Sequence, residues 1–140
     1  MVPDSGLSNL DIQNLMRNEI NFKGCYMRNE KLPKYGNFIL NLDDFKNNGT
    51  HWVAIFNSEY YDSFGMPPPI ELKNRISSYN TVQHQKVNSI LCAIFACLYI
   101  HYRNYGYSKY DICYNILKYN HSNKDEFKKF IKKHYLRCRP

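Results

Sequence analysis

The sequence predicts a single α+β domain, because strand-like segments fill the middle of the chain and helical segments lie on both sides of them. The chain has 140 residues, which is enough for one domain to bury roughly two thirds of its unfolded surface without disulfides or metal. Hydrophobic residues make up 44% of the chain and aromatic residues 16%, so it is too apolar to be disordered. We therefore expect residues 1–140 to form one domain with a central sheet, a buried helix and flanking helices.

The first half of the chain predicts one helix and three strands. Residues 8–11 read Ser-Asn-Leu-Asp, a helix-capping pattern followed by apolar residues at helical spacing, so a helix is expected over 9–17. Three apolar segments with β-branched residues between turn-forming residues predict strands, at 37–42, 50–56 and 60–64. The last two segments are joined by residues 57–59, Asn-Ser-Glu, which is short enough for a hairpin.

The second half of the chain is mainly helical in its pattern. The elements expected there are a helical stretch at 69–78, a last strand at 81–86, a helix from 90 to about 103, and helices that begin at Ser108 and at Ser122 or Asn123. The apolar segment from Ile90 to Ile100 has eleven residues, about half of the ~20 that cross a bilayer. We therefore expect a helix enclosed by the fold, capped by Asn88 or Ser89, and no membrane span.

The cysteines and the charge narrow the class of protein further. The five cysteines are an odd number and contain no Cys-x-x-Cys pair, so neither a disulfide framework nor a metal site is indicated. The first residues lack the basic and apolar regions of a secretory signal, which favours an intracellular protein. The net charge is +7, and residues 124–140 contribute +5 of it through seven basic and two acidic side chains. Such a basic segment is typical of a solvated helix face, and it also suits a phosphate-binding surface.

Three residues have the types that thiol catalysis needs. His51 opens the first hairpin strand and Asp62 lies on the second; a two-residue turn places them diagonally on one face, where the carboxylate can accept a hydrogen bond from the imidazole. Cys92 lies in the first turn of the enclosed helix, where the helix dipole favours a thiolate. A three-residue turn would break this parity, and Asp43 or Asp44 would then be the alternative acid.

These residues lie in segments that resemble the adenain-like cysteine proteases, the family of the adenovirus maturation protease. Residues 85–92 read Gln-Lys-Val-Asn-Ser-Ile-Leu-Cys, which has the family's Gln-x-x-Asn-Ser-x-x-Cys form, and related patterns occur in SUMO-specific proteases. The pair at 51–52, His-Trp, and residues 61–65 are similar to the family's His-Trp pair and acidic strand. Further segments are most similar to the proteases of Maverick/Polinton elements and virophages, at 22–30, 32–33, 41–43 and 49–52. The resemblance covers about 8–105, and residues 106–140 show none.

The resemblance implies a papain-like core in the permuted order His, Asp, Cys. It implies that Cys92 is the nucleophile, His51 the base and later the acid, and Asp62 the residue that orients His51. It assigns the oxyanion hole to the side-chain amide of Gln85 and the backbone N–H of Cys92, with Gln83 as the second choice because it lacks the family spacing. No cofactor is needed for this chemistry.

Several other residues have two interpretations. Trp52 either walls the substrate groove or packs in the core. Ala93 follows the nucleophile, where the family commonly has glycine, and its methyl group would narrow the approach of substrate. We expect structural roles, at the surface or partly buried, for the remaining histidines, which are His84, His101, His121 and His134. Cys97 and Cys113 are expected to be packed thiols, whereas Cys25 and Cys138 are expected to be exposed.

The resemblance also implies a biological role. It implies a monomeric endopeptidase that cleaves viral capsid and structural precursor proteins during virion maturation, in the virion and the infected cell (cytoplasmic virus factory or nucleus). A deubiquitinase or deSUMOylase is the enzymatic alternative, and a catalytically silent DNA- or capsid-binding module is the other. The resemblance implies that DNA or a peptide activates the enzyme. No membrane partner is expected. The residues expected to bind DNA are Lys128, Lys129, Lys132 and Lys133.

Overall fold

The computed structural model describes residues 7–42, 51–84 and 92–117. It contains a five-stranded sheet with helices packed on it, which confirms the α+β class. The elements are α1 (Asn9–Met16), β1 (Phe22–Met27), β2 (Asn37–Asn41), β3 (Trp52–Phe56), β4 (Glu59–Tyr61), β5 (Ser78–Tyr79), α2 (Cys92–Asn104) and α3 (Lys109–Asp111). A single 3-10 turn, Ile70–Leu72, precedes β5, and a π-helical turn, Ile112–Ile116, continues α3.

The sheet is mixed and its strands follow the order of the chain. Strand β3 is antiparallel to both of its neighbours, β2 and β4, whereas β1 pairs in parallel with β2 and β5 in parallel with β4. Phe56 pairs with Glu59, so only Asn57 and Ser58 connect β3 to β4. Asn57 has a φ of 56°, a left-handed conformation that asparagine tolerates and that tight hairpins require. The two-residue turn that places His51 and Asp62 diagonally on one face of the hairpin is therefore present.

Helix α1 begins where its sequence pattern indicates. The Ser8 hydroxyl accepts a hydrogen bond from the Asp11 backbone N–H, and the Asp11 carboxylate accepts one from the Ser8 N–H. This reciprocal cap satisfies two backbone donors that a helix start leaves unpaired. Its inward residues Ile12, Leu15 and Met16 are buried in the core. The helix expected over 9–17 is thus confirmed to within one residue.

Both faces of the sheet are covered by apolar side chains. On one face, Ile39 and Ala54 belong to a large core cluster with residues of α1 and α2. On the other face, Phe38 and Val53 belong to a smaller cluster that includes Leu72 of the 3-10 turn. All five residues of β2 are buried, which explains why its sequence shows no alternation of polar and apolar residues.

Helix α2 is enclosed by the fold, as its apolar sequence predicts. Its residues from Cys92 to His101 are all buried. Near its other end, the Tyr99 hydroxyl donates to Glu59 Oε1 at 2.5 Å, and Arg103 Nη2 donates to Glu59 Oε2 at 2.7 Å. The Arg103 guanidinium also lies over the Phe56 ring, 4.7 Å from its centroid. These contacts fix the helix that carries Cys92 against the β3–β4 hairpin. None of the helices described has the length and apolar character that a membrane span needs.

The interaction between Arg103 and Glu59 gives a testable stability difference. We expect Arg103→Ala to lower the free energy of unfolding by about 1–3 kcal/mol, because it removes two hydrogen bonds to a mostly buried carboxylate. Arg28→Ala is the matched control, since it breaks the more exposed Arg28–Glu71 pair, whose removal costs about 0–1 kcal/mol. Urea unfolding of both variants measures the difference, and equal decreases would contradict this account.

Strand β1 was missed from the sequence. Its residues Phe22–Met27 contain Lys23 and a glycine with a φ of 113°, Gly24, so the local pattern does not read as a strand. The strand forms by parallel pairing with β2, with an irregular register between Phe22 and Cys25. A tertiary contact, and not local propensity, therefore decides this element.

The prediction of a last strand at 81–86 is wrong over its described part. Residues 81–84 contain no strand, and the last strand is β5, two residues long, at Ser78–Tyr79. The backbone of Thr81 instead approaches Gly65 so closely that a Cβ there would lie 2.8 Å from the Thr81 carbonyl oxygen. This segment packs against the turn after β4 and cannot extend the sheet. The helical stretch expected at 69–78 is reduced to a single 3-10 turn, Ile70–Leu72, and its last residue, Ser78, begins β5.

Other boundaries shift by a few residues. Strand β4 ends at Tyr61 and not at 64, because Asp62 to Gly65 form a turn in which the Gly65 N–H donates to the Asp62 carbonyl at 2.8 Å. The helix expected from Ser108 is confirmed as α3 and its π-helical continuation, with Ile112 and Leu117 buried. The expected helix from Ser122 or Asn123 and the cap at Asn88 or Ser89 lie outside the described residues.

Candidate active site

His51 and Asp62 meet at the ends of β3 and β4. His51 immediately precedes β3, and its carbonyl accepts a hydrogen bond from the Leu42 N–H at 2.8 Å, which extends the β2–β3 pairing. Asp62 follows β4, and continuing the register beyond the Ala54–Tyr61 pair places it diagonally from His51, as the parity predicts. His51 Nε2 donates to Asp62 Oδ1 at 2.8 Å. The Asp62 side chain is 3% exposed and the His51 side chain 22%, so the bond is sheltered from water and one part of the ring remains accessible.

The carboxylate and the ring are both held by a neighbouring residue. The Phe64 backbone N–H donates to Asp62 Oδ1 at 2.8 Å, the same oxygen that accepts from His51. The Phe64 ring stacks on the imidazole, with centroids 4.7 Å apart and an interplanar angle of 26°. Phe64 therefore restrains both the carboxylate and the plane of the imidazole.

Cys92 is the third member of the group. Burial by itself lowers the pKa of His51, but hydrogen bonds to Asp62 and Cys92, together with the charges of both, outweigh burial and raise it to about 9. The imidazole is therefore mainly protonated at neutral pH. Because Nε2 is bonded to Asp62, Nδ1 is the ring nitrogen available to the thiol. The structure thus brings together all three residues that the sequence singled out.

The position of Cys92 on its helix suits a nucleophile. The helix start that the sequence predicts, with a cap at Asn88 or Ser89, would place it in the first turn, where backbone N–H groups and the helix dipole favour negative charge. It is 6% exposed, so its sulfur is largely shielded from water. The next residue, Ala93, is 1% exposed and belongs to the large core cluster, so its methyl group packs inward. The narrowing of the substrate approach by Ala93 stays a prediction.

A thiol, an imidazolium and a carboxylate in contact can carry out nucleophilic attack. The imidazolium supplies positive charge next to the sulfur, which a thiolate nucleophile needs. The carboxylate fixes the tautomer and orientation of the ring and stabilises its charge. Within the described ranges no three His, Cys, Asp or Glu side chains are grouped in a way that would hold a metal ion.

For the remaining predicted site residues, the structure gives only their burial or does not describe them. Trp52 is 5% exposed and belongs to the large core cluster, so it packs in the core, and its role as a groove wall stays a prediction. Gln83, the second choice for the oxyanion hole, is exposed. Several predicted residues lie outside the described ranges, namely Gln85, Asp43, Asp44, Lys128, Lys129, Lys132 and Lys133.

The two described structural histidines are more buried than expected. His84 is 2% exposed; its Nε2 donates to the Cys113 carbonyl at 2.8 Å, so its Nδ1 accepts from the Tyr61 hydroxyl at 2.8 Å. Burial lowers the pKa of His84, which keeps the ring neutral. His101 is 6% exposed and lies 3.0 Å from Glu19. Both rings have partners in the core that the sequence did not reveal.

The other cysteines behave as packed thiols. Cys97 and Cys113 are buried, as predicted, and burial raises the pKa of Cys97 well above its usual value. Cys25 is half-buried and not exposed, and burial raises its pKa to about 12. Among the described cysteines only Cys92 has a histidine partner that is itself in contact with a carboxylate. Cys138 lies outside the described residues, as do two of the expected structural histidines, His121 and His134.

Sequence reasoning missed Asn80, which is buried beside Asp62. Its side chain is bonded to both backbone polar groups of Asp62, at 2.8 and 2.6 Å. No motif distinguishes Asn80 from the many other asparagines of this chain, so only the structure reveals it. Asn80 also lines a cavity of about 410 Å³ together with Tyr110 and Tyr114, and none of the three site residues lines that cavity.

The raised pKa of His51 predicts a pH dependence of stability. Because the folded-state pKa of about 9 exceeds the ordinary value of about 6.5, protonated His51 stabilises the fold fully below about pH 6.5. This contribution is lost as the pH rises through about 9. The free energy of unfolding of wild type minus that of His51→Gln, measured from pH 6 to 10, should therefore fall with pH. The same pH slope in both proteins would contradict the raised pKa.

A solved protease structure is similar to this chain. The crystal structure of the selenomethionine form of the ASFV pS273R protease matches with a TM-score of 0.49 and 23% sequence identity. The match covers 71% of this chain and 43% of that chain, so this protein spans less than half the length of that protease. No protein-family model matches the chain, and no curated protein matches it.

Proposed function

We propose that this protein is a cysteine endopeptidase with Cys92 as nucleophile, His51 as acid and base, and Asp62 as the residue that orients His51. One observation carries the proposal: the His51 ring is bonded at once to the Asp62 carboxylate and to Cys92. Unrelated buried residues rarely combine these three types in contact, and the pattern is that of thiol catalysis. The resemblance of the surrounding sequence to adenain-like proteases supports the same assignment.

The arrangement can carry a complete hydrolysis. The Cys92 sulfur attacks the scissile carbonyl carbon, and the C–N bond breaks as protonated His51 gives its proton to the leaving amine. Neutral His51 then takes a proton from a water molecule that attacks the thioester, and the acid product leaves as the sulfur is released. The net reaction consumes one water and regenerates the thiolate and the imidazolium.

The oxyanion that forms in each step needs hydrogen-bond donors. The backbone N–H of Cys92 is one proposed donor, as the resemblance implies. The side-chain amide of Gln85 is the second proposed donor, from the resemblance alone. Removal of one such donor costs about 10²–10³ in rate.

The proposed substrates are viral capsid and structural precursor proteins, cleaved after small residues such as glycine. Support for this class comes from the order and spacing of the segments over about 8–105 that resemble the maturation proteases. The proposed location is accordingly the virion and the infected cell. A catalytically silent module is disfavoured, since its only motif-level support was Ala93, whose methyl group is buried in the core.

Electrophilic peptide probes test the proposal. A peptide ending in glycine with a thiol-reactive group should label one cysteine, Cys92, and a capsid precursor should compete with it. The His51→Gln variant should be labelled far more slowly, because the positive charge next to the sulfur is removed. Labelling located by peptide mass mapping distinguishes Cys92 from the other four cysteines.

The outcomes separate the alternatives. Labelling of Cys92 by ubiquitin- or SUMO-based probes, and not by the glycine peptide, would favour a deubiquitinase or deSUMOylase. No labelling of Cys92 by any probe, in protein that is folded by circular dichroism, would overturn the proposed enzyme activity.

The basic segment at 124–140 leads to a proposal about DNA. We expect duplex DNA to bind at low salt and to lose affinity steeply towards physiological salt, because binding releases counterions from phosphates. A variant that lacks four basic side chains should reduce the salt slope by about 0.9 for each phosphate that the protein no longer neutralises. The lysines changed to alanine are Lys128, Lys129, Lys132 and Lys133. The charge-matched control changes four exposed lysines elsewhere, Lys23, Lys31, Lys34 and Lys73. Equal salt slopes in the two variants would remove the proposal.

A further inference from the structure

We propose that Asn80 is a positioning residue for the catalytic group, which holds the backbone of Asp62 so that its carboxylate meets His51. The inference rests on the proposed function, because it concerns the same three residues. Asn80 touches neither the imidazole nor the thiol in any contact described, so its effect on the chemistry must pass through Asp62.

The contacts of Asn80 use the hydrogen-bonding capacity of its amide. Its Oδ1 accepts from the Asp62 backbone N–H at 2.8 Å. Its Nδ2 donates to the Asp62 carbonyl at 2.6 Å and to the Val82 carbonyl at 3.2 Å. The residue is 4% exposed, so water does not compete for these bonds. Both donors and the acceptor of the amide therefore have backbone partners.

The location explains why a side chain is needed there. Strands β4 and β5 pair in parallel through Glu59 with Ser78 and Tyr60 with Tyr79, and β5 ends at Tyr79. Asp62 lies just beyond the paired part of β4, where its own N–H and C=O have no strand partner on β5. The Asn80 amide has the same donor and acceptor groups as a peptide unit and satisfies both. It thereby continues the sheet by one step, to the residue that carries the carboxylate.

The geometry of the site leaves little tolerance for movement of Asp62. Its Oδ1 accepts at 2.8 Å from both His51 Nε2 and the Phe64 N–H. A shift of about 1 Å would lengthen the bond to His51 beyond hydrogen-bonding distance, and misplacements of that size can cost about 100-fold in rate. Releasing Asp62 from Asn80 should therefore weaken the interaction that orients and charges His51.

Asn37 provides a matched comparison in the same protein. It is 2% exposed, and its Nδ2 donates to a backbone carbonyl, that of Ile20, at 2.9 Å. It lies at the start of β2, at the opposite end of the β2–β3 pairing from the site, since Asn37 pairs with Phe56 and Asn41 with Trp52. Replacing either asparagine removes a buried amide, with three backbone hydrogen bonds at Asn80 and one at Asn37. Only Asn80 is bonded to a residue of the catalytic group.

The experiment compares Asn80→Ala and Asn80→Ser with Asn37→Ala. We expect Asn80→Ala to lower kcat for a peptide substrate about 10- to 100-fold, with KM changed less than about twofold, because orientation and not substrate binding is affected. His51, assigned in NMR spectra by its absence from His51→Gln, should titrate at a lower pH than in wild type. Asn37→Ala should lower the urea midpoint without changing kcat or the His51 titration.

The readouts keep this inference separate from the proposed function. If wild type cleaves no substrate, the proposed function fails, and the His51 titration of the Asn80 variants still decides the positioning role. If Asn80→Ala does not fold, Asn80→Ser, which retains one hydroxyl in place of the amide, takes its place in every comparison. Unchanged kcat and an unchanged His51 titration in the folded variant would overturn the inference, as would equal changes in Asn37→Ala.

Discussion

Replacing Cys92 with alanine should abolish peptide-bond cleavage, with a decrease of about 10⁴- to 10⁶-fold in kcat. The reason is that the sulfur forms the covalent intermediate in the proposed mechanism, and no other described side chain in contact with His51 can replace it. Alanine removes one atom from a position that is 6% exposed, so the fold should remain. Processing of a co-expressed capsid precursor, followed on gels together with the circular dichroism of the purified variant, measures both.

Cys97→Ala is the matched control for this variant. Cys97 lies on the same helix and is fully buried, but it does not contact His51 in any interaction described. Its replacement should lower stability slightly through a small cavity and leave cleavage unchanged. Equal cleavage by wild type and Cys92→Ala would exclude the thiol mechanism.

Replacing Asp62 with alanine should lower kcat about 10²- to 10⁴-fold. His51 then loses the acceptor for Nε2 that fixes its tautomer and the negative charge that stabilises its protonated form. The pKa of His51 should accordingly fall below its value of about 9, because burial is then less opposed. Activity as a function of pH and the NMR titration of His51 measure the two effects in the same variant.

Asp62→Asn should retain more activity than Asp62→Ala. The amide keeps an oxygen that can accept from Nε2, so the ring remains oriented, but it carries no charge. Glu71→Ala is the control for removal of a carboxylate, since Glu71 is exposed and bonded to Arg28. A full rate in Asp62→Ala would remove Asp62 from the mechanism and return Asp43 and Asp44 as alternatives.

The sequence alone predicted much of this site because its signals are local. The Ser8 cap, the two-residue turn at Asn57 and Ser58, and the long apolar segment each act over a few residues. The turn fixes the hairpin register, and the register decides which residue lies diagonally from His51. The meeting of His51 with Asp62 therefore follows from hairpin parity before any distant contact is known.

Only the tertiary structure decided the features that join distant segments. Strand β1 pairs with β2 in parallel, and β5 pairs with β4 across the segment between Glu59 and Ser78. Parallel pairing requires a crossover connection and not a tight turn, so no hairpin signal in the sequence marks these strands.

Side-chain roles in the core were equally hidden from the sequence. The Asn80 side chain bonds the backbone of Asp62 because β5 ends after two residues. The His84 ring can be buried because the Tyr61 hydroxyl and the Cys113 carbonyl both form hydrogen bonds with it. Such a role depends on which backbone groups the fold leaves unpaired, and that is settled only when the elements pack. Residue types and turn lengths determined which three residues form the proposed site of this protein. The contacts that support the site were determined by the packing of segments far apart in the chain.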